Sequence, residues 1–333
     1  MKRIPQLDGI RAVAILAVFF HHSLHIKLLW AGVDLFFILS GFLITNVLLD
    51  AKHHSLGGYF EHFYSRRARR ILAPYLLTLF IASFFVGLAW MRHWYFYLLF
   101  TNFLQPLGIQ LPRAFEPLWS LAVEEQFYLV WPFAVYFLSE RHLRRLCVAL
   151  ILAAPILRGS FHFASQWPVY MLTPFRMDLL AAGGLLCLIW RNDREWLVRN
   201  SGRIFAPLFA AGLCALGLLA HFHISTSDNT RTGNVLIYEA TLLACLGFIV
   251  YALAGHRVAW LCWHPLRYIG RISYTMYLVH LGVLTHLESH IYGRFVRSAI
   301  ALAITVAYAS ASWFLMERRL LHHKPAAAQP KPA

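Results

Sequence analysis

The sequence predicts an all-α integral membrane protein: a ten-transmembrane-helix bundle with one re-entrant or interfacial segment. Three observations carry that expectation. Of 333 residues, 59% are hydrophobic and 14% charged, an apolar excess outside the range of soluble domains. Apolar runs recur from Ile10 to Met316 with no polar interval long enough to fold alone, and a hydrocarbon core ~30 Å thick needs about 20 such residues per crossing. Lysine and arginine fall in short clusters between the runs, as topology determinants do.

Taken in order, the runs place helices at about 10–28, 33–49, 71–91, 117–138, 146–163, 170–190, 203–222, 235–255, 268–287 and 298–316. The stretch from Trp94 to Leu107 is apolar but short and is ended by Pro106 and Gly108, so it reads as re-entrant or interfacial. With the N-terminus cytoplasmic, one side of the membrane receives Lys2, Arg3, the Arg66 to Arg70 cluster, the clusters from Arg141 to Arg145 and Arg191 to Arg203, Arg257, Arg267, Arg271, Arg318, Arg319 and Lys324. The other keeps a scatter that includes Lys27, Arg92, Arg113, Arg231, Arg294 and Arg297. Counting 94–107 as a full crossing would move two basic clusters outside, against the positive-inside rule. Ten crossings with both termini cytoplasmic follow. The first run carries Arg11 and the pair His21-His22 and is followed by no small-residue cleavage site, so it is expected to stay in the mature protein. Residues 1–321 form one membrane domain, and the Pro/Ala-rich tail 322–333 is expected to be disordered and cytoplasmic.

The net charge of +15 does not indicate nucleic acid, because the basic residues do not gather on one polar face. Five cysteines without CxxC spacing read as buried thiols, with no metal site expected. Trp30, Trp94 and Trp190 near run ends read as interfacial anchors.

An ionisable side chain within a crossing is expensive and therefore a candidate functional group. Arg11 and His22 are eleven residues apart, about 20° past three full helical turns, which puts both on one face about 16 Å apart. Neutral histidine can take a proton from an attacking hydroxyl, and a base in this setting needs polar partners from other helices. Those available are Asp34, Glu124 and Glu125, and Arg176 with Asp178. Glu124 and Glu125, adjacent in EPLWSLAVEEQFYLVWP, diverge by about 100° on a helix and cannot face one site; which one does is open. Thr173-Pro174 reads as a helix N-cap placing Arg176 and Asp178 in the first turn, as a salt bridge or a substrate contact. In SRRARRILAPY, Arg66, Arg67, Arg69 and Arg70 suit either a polyanion such as coenzyme A, whose phosphates accept guanidinium forks, or anionic lipid. Ser40, Gly41, Gly270 and Ser273 mark close helix approaches. His280, mid-crossing, is either catalytic support or a histidine bonded to a neighbouring helix.

LDGIRAVAILAVFFHH, GVDLFFILSGFLIT, RRARRILAPY, LWSLAVEEQFYLVWP, TPFRMDLLAAGGLL and GRISYTMYLVHL, in this order, resemble the acyltransferase-3 family of bacterial membrane O-acyltransferases across roughly Ile4 to Arg319. The resemblance implies a multi-pass enzyme of the bacterial inner membrane. It would move an acyl group, commonly acetyl, from cytoplasmic acyl-CoA to a hydroxyl of a cell-surface or lipid-linked carbohydrate. It implies Arg11 and His22 as catalytic, Arg67 and Arg70 of the basic cluster as donor contacts, and roles for Glu124 and Glu125, with His21 and Trp119 beside them. It also implies a stand-alone form without the SGNH-type esterase domain that many members append. Acceptor choice is expected in loops such as His221 to Asn234. The competing readings are a transporter or flippase of a glycosylated or acylated lipid and a lipid-binding structural protein.

Overall fold

The computed structural model describes residues 4–224, 228–255 and 258–322. The expectations for Lys2, Arg3, Arg257, Lys324 and nearly all of the tail lie outside them. Among the described residues there is no strand, and ten helices have 16 residues or more. These are α1 (Pro5–Leu24), α2 (Gly32–Ala51), α3 (Leu56–Val86), α4 (Leu118–Phe137), α5 (Glu140–Ser160), α6 (Met177–Asn192), α7 (Ala206–His221), α8 (Arg231–Ala254), α9 (His264–Glu288) and α10 (Arg294–Ser312).

Among the described residues, six helical stretches are long and apolar enough to cross a membrane: Pro5–Leu24, Lys27–Ala51, Leu56–Val86, Arg194–His221, Arg231–Ala254 and Arg294–Leu320. The other four long helices, α4, α5, α6 and α9, are shorter or more polar. They carry Glu124, Arg158, Asp178 and His280, so polar function dilutes the apolar signal in the same helices that hold the interior together. Phe84, Val130, Phe137, Ile156 and Phe295 stand exposed, a display that suits lipid and not water. The protein is a multi-pass membrane protein.

Local chemistry sets the helix ends. Pro5 opens α1, where a missing N–H costs nothing, and His25 closes it in the left-handed region at φ 57°. Ser55 caps α3 by accepting from the Gly58 N–H. That helix runs 31 residues, about 46 Å, and starts well before the expected 71. Its early half is held by Tyr59 and Tyr64, which donate to the Pro132 and Leu129 carbonyls of α4, both at 3.0 Å. The basic cluster therefore sits mid-helix and not at a helix start. Between α3 and α4 the chain forms only short elements: the 3₁₀ turns Ala89–His93 and Arg113–Phe115 and the four-residue helices Phe96–Leu99 and Thr101–Leu104.

Close packing depends on missing side chains. A Cβ on Gly41 would strike the Leu180 carbonyl and one on Gly183 the Ile38 carbonyl, so α2 and α6 meet backbone to backbone. Gly270 gives α9 the same approach to Asp8 of α1. Cys147, Cys187 and Cys245 are buried, but Cys214 is exposed on α7 and Cys262 half-buried, against the expectation that the thiols are interior. Cys214 lies on a face of α7 that no other described residue covers.

Candidate active site

The face of α1 that carries Arg11 and His22 looks into the bundle. At the His22 end lies a cavity of about 220 Å³ lined by His21, His22, Trp30, Gln105, Glu116, Trp119, Gln166, Trp167, Tyr170 and Tyr277, among others. At the Arg11 end a smaller one, about 40 Å³, is lined by Arg11, Ser40, Ser120, Glu124, Ser273 and Tyr274. Val33 and Tyr277 line both. The Tyr277 hydroxyl lies 2.6 Å from that of Ser120, which lines the smaller cavity.

Hydrogen bonding orders the histidines. The Nδ1 of His280 is 2.8 Å from the Tyr277 carbonyl, which can only accept, so Nδ1 carries the proton. Neutral His280 then offers Nε2 as an acceptor, and His22 Nδ1, 3.1 Å away, donates to it. His22 is left with Nε2 as its unprotonated nitrogen, on a ring that lines the larger cavity. His21 turns elsewhere, its Nδ1 3.1 Å from the Ile26 carbonyl.

The second cavity gathers opposite charges. Glu124 accepts from Tyr128 at 2.5 Å and from Ser40, and Arg11 is its electrostatic neighbour. The Arg67 guanidinium lies 4.4 Å from the centre of the Tyr128 ring, and Arg70 is within electrostatic range of Arg11, Arg67 and Glu317. The Nε of Arg11 is buried without a hydrogen-bond partner among the described residues. Thus Arg67 and Arg70 join Arg11, whereas Arg66 is exposed and bonds His62 at 3.1 Å and Arg69 bonds the Ser65 carbonyl at 3.1 Å. The adjacent glutamates divide as helix geometry requires: Glu124 faces Arg11, and Glu125 lines a separate, mainly apolar cavity of about 260 Å³ with Tyr75 and Tyr97.

Asp34, Arg176 and Asp178 line neither of the first two cavities. Arg176 pairs with Asp34 and not with Asp178, both groups fully buried. Its guanidinium lies 4.7 to 6.0 Å from the ring centres of Tyr238, Phe37, Tyr170, Trp30 and Trp119, behind the aromatic wall of the cavity. Thr173 is not a helix cap: it bonds Gln126, Thr173–Phe175 is a 3₁₀ turn, and α6 begins at Met177. Arg176, at φ −125° and ψ 0°, precedes that helix and is thereby aimed at α2 instead of along α6. Trp190 is buried and Trp30 half-buried as cavity wall, whereas Trp94 is exposed.

Asp178 is claimed by Arg158, which bonds it at 2.6 Å, Glu239 at 2.5 Å and the Phe175 carbonyl at 2.6 Å. Sequence reasoning missed Arg158 and Glu239, although both are charges inside apolar runs, the signal that flagged Arg11. It also missed Gln105, Glu116, Gln166 and Tyr170, which sit in loops and short turns without periodicity. Burial raises the Glu116 carboxyl above its ordinary range, with the nearby Arg113 guanidinium opposing.

Fold and site define a multi-pass helical membrane protein built around an internal polar cavity. The chain belongs to the acyltransferase domain family, which matches residues 4–316. It is similar to Bacillus subtilis YrhL, named as a candidate peptidoglycan O-acetyltransferase (30% identical, covering 85% of this chain and 49% of that protein). It is also similar to the peptidoglycan O-acetyltransferase OatA of Listeria monocytogenes (31%, covering 85% and 50%) and to the O-acetyltransferase OatA of Staphylococcus aureus (26%, covering 87% and 52%). The chain spans about half the length of these curated relatives. No solved structure matches it.

Proposed function

We propose that the chain is an O-acyltransferase moving an acetyl group from cytoplasmic acetyl-CoA to a hydroxyl of a cell-surface carbohydrate, with peptidoglycan the acceptor suggested by the relatives' names. The observation that carries the reading is the chain Tyr277 carbonyl, His280, His22, which leaves Nε2 as the unprotonated nitrogen of a His22 ring that lines a cavity. In this reading ten helices cross the inner membrane with both termini cytoplasmic, 94–107 enters without crossing, and the Arg11 end faces the cytoplasm.

The donor's phosphates lie against Arg67 and Arg70 with Arg11 beyond them, and its pantetheine arm passes Ser120 and Tyr277 to reach His22. His22 Nε2 takes the hydroxyl proton as the oxygen attacks the thioester carbonyl. The carbon–sulfur bond breaks, and the same proton passes to the departing coenzyme A sulfur. His280 holds the ring in the reactive tautomer and accepts the stronger bond from the imidazolium. Glu124 balances the charge of Arg11.

Purified full-length protein given radiolabelled acetyl-CoA and glycan tests this. His22→Ala is expected to lower transfer by about 10²–10⁴-fold, the usual contribution of a general base. Unchanged transfer would remove His22 from the mechanism.

A further inference from the structure

We propose that the cavity of about 260 Å³ around Glu125 binds a lipophilic organic ammonium ion. The cation pairs with the Glu125 carboxylate, and its carbon substituents pack on Tyr75, Tyr97 and Tyr274. The transfer reaction proposed above makes no use of this space, so the site stands apart from that reading.

The carboxyl is the anomaly. Glu125 lines a space walled by isoleucine, leucine and alanine side chains, three tyrosines and Thr101, and among the described residues it makes no hydrogen bond and no ion pair. An ionisable group so placed is expensive and marks a candidate site. The wall does not satisfy it, because three of its four hydroxyls are spent elsewhere. Tyr75 donates to the Tyr97 carbonyl, Tyr274 to the Ile71 carbonyl at 3.1 Å and Thr101 to the Leu118 carbonyl at 2.9 Å. The charges in range are Glu124, which repels Glu125, and Arg67, which attracts it from outside the cavity. Arg67 lies 4.4 Å from the centre of the Tyr128 ring and serves Glu124 as well, so Glu125 has no cation of its own.

Each class of ligand meets this wall differently. A hydrocarbon leaves the carboxylate unpaired. An anion meets a like charge, with no lysine, arginine or histidine among the described lining residues. A hard metal ion needs about six oxygen ligands, and the wall offers a single carboxylate. An organic ammonium ion supplies the missing charge, lays its carbon substituents against leucine and is attracted to the faces of aromatic rings. With the Tyr75 and Tyr274 hydroxyl protons given to backbone carbonyls, the rings are what these residues have left to offer.

Access and size narrow the class further. Leu72 and Leu98 line the cavity and are also exposed on the outside of the bundle, a surface that suits lipid. The way in is therefore lateral, from the bilayer, which selects a cation lipophilic enough to partition there. At about 260 Å³ the space falls just below the ~300–1,000 Å³ of drug-sized sites, so it holds a substituted nitrogen with one ring or a short chain. Leu121 and Tyr274 line this cavity and the one at the Arg11 end alike, so an occupant touches two side chains of that neighbouring space.

The test is equilibrium dialysis of radiolabelled phenyltrimethylammonium against the purified full chain in phosphatidylcholine nanodiscs, with empty nanodiscs as the blank. Saturable binding is expected, and tert-butylbenzene, the neutral carbon isostere, should compete at least about 10-fold less well. Glu125→Gln should weaken binding by roughly 10- to 100-fold, the loss of one charge partner. Because that change takes a charge out of an apolar cavity, the variant is expected to fold with a Tm no lower than wild type. Ala122→Leu, which narrows the space and keeps the carboxylate, should weaken binding too and gives a second reading. No saturable binding, equal competition by the neutral isostere, or wild-type affinity in Glu125→Gln would each overturn the ammonium site.

Discussion

Replacing His280 with leucine removes the acceptor for His22 Nδ1 and nothing that touches substrate. In the resting state that bond is a neutral imidazole pair at 3.1 Å, worth ~0.5–1.5 kcal/mol net. Once His22 has taken a proton, the same bond becomes charge-assisted and rises to ~1.5–3 kcal/mol. Only the difference, about 1–1.5 kcal/mol, lowers the barrier, which makes kcat about tenfold slower without His280. The assay is steady-state transfer of radiolabelled acetyl, with kcat and both Michaelis constants measured. His280→Leu is expected to reduce kcat about tenfold with little change in either KM. His280→Gln, whose side-chain oxygen can accept from the same N–H, is expected to recover part of the loss. A folded His280→Leu protein with wild-type kcat would refute the tautomer reasoning.

Other perturbations test other parts of the bundle. Arg67→Ala and Arg70→Ala should each raise the KM for acetyl-CoA by roughly 10- to 100-fold, the loss of one charge-assisted phosphate contact; a change confined to acceptor kinetics would assign the cluster elsewhere. Arg158→Met strands Asp178 and Glu239 without their cation and should destabilise by ~3–5 kcal/mol, read as a lower Tm in detergent. Adding Asp178→Asn should return part of that Tm. Gly183→Val puts a branched side chain against the Ile38 carbonyl and should cost ~1–3 kcal/mol or more of stability, with unchanged Tm showing that α2 and α6 can part without loss.

Apolar length and basic clusters made the helical class and the order of helices legible, because a bilayer constrains both strongly. Helix ends were less so. The sequence suggested a start at 71 for α3, but tertiary bonds from Tyr59 and Tyr64 extend the helix to Leu56. Arg11 and His22 were readable from spacing alone, since a helix fixes their shared face. Partners across helices were not. Arg176 and Asp178 are two residues apart and looked like a pair, yet each takes its ion partner from another helix, a choice that depends on packing angles no local pattern encodes. Gln105 and Gln166 were invisible for a related reason. Ordinary polar residues in irregular loops acquire meaning only when the fold closes over them.

The Ser120–Tyr277 contact has an electrical consequence. A protein with a continuous bore from one face of the bilayer to the other would short-circuit the ion gradients of the cell that houses it. On the proposed donor route the Ser120 and Tyr277 hydroxyls, 2.6 Å apart, would have to part to admit a long thin substrate. That substrate would then have to plug the gap it makes and so serve as its own stopper.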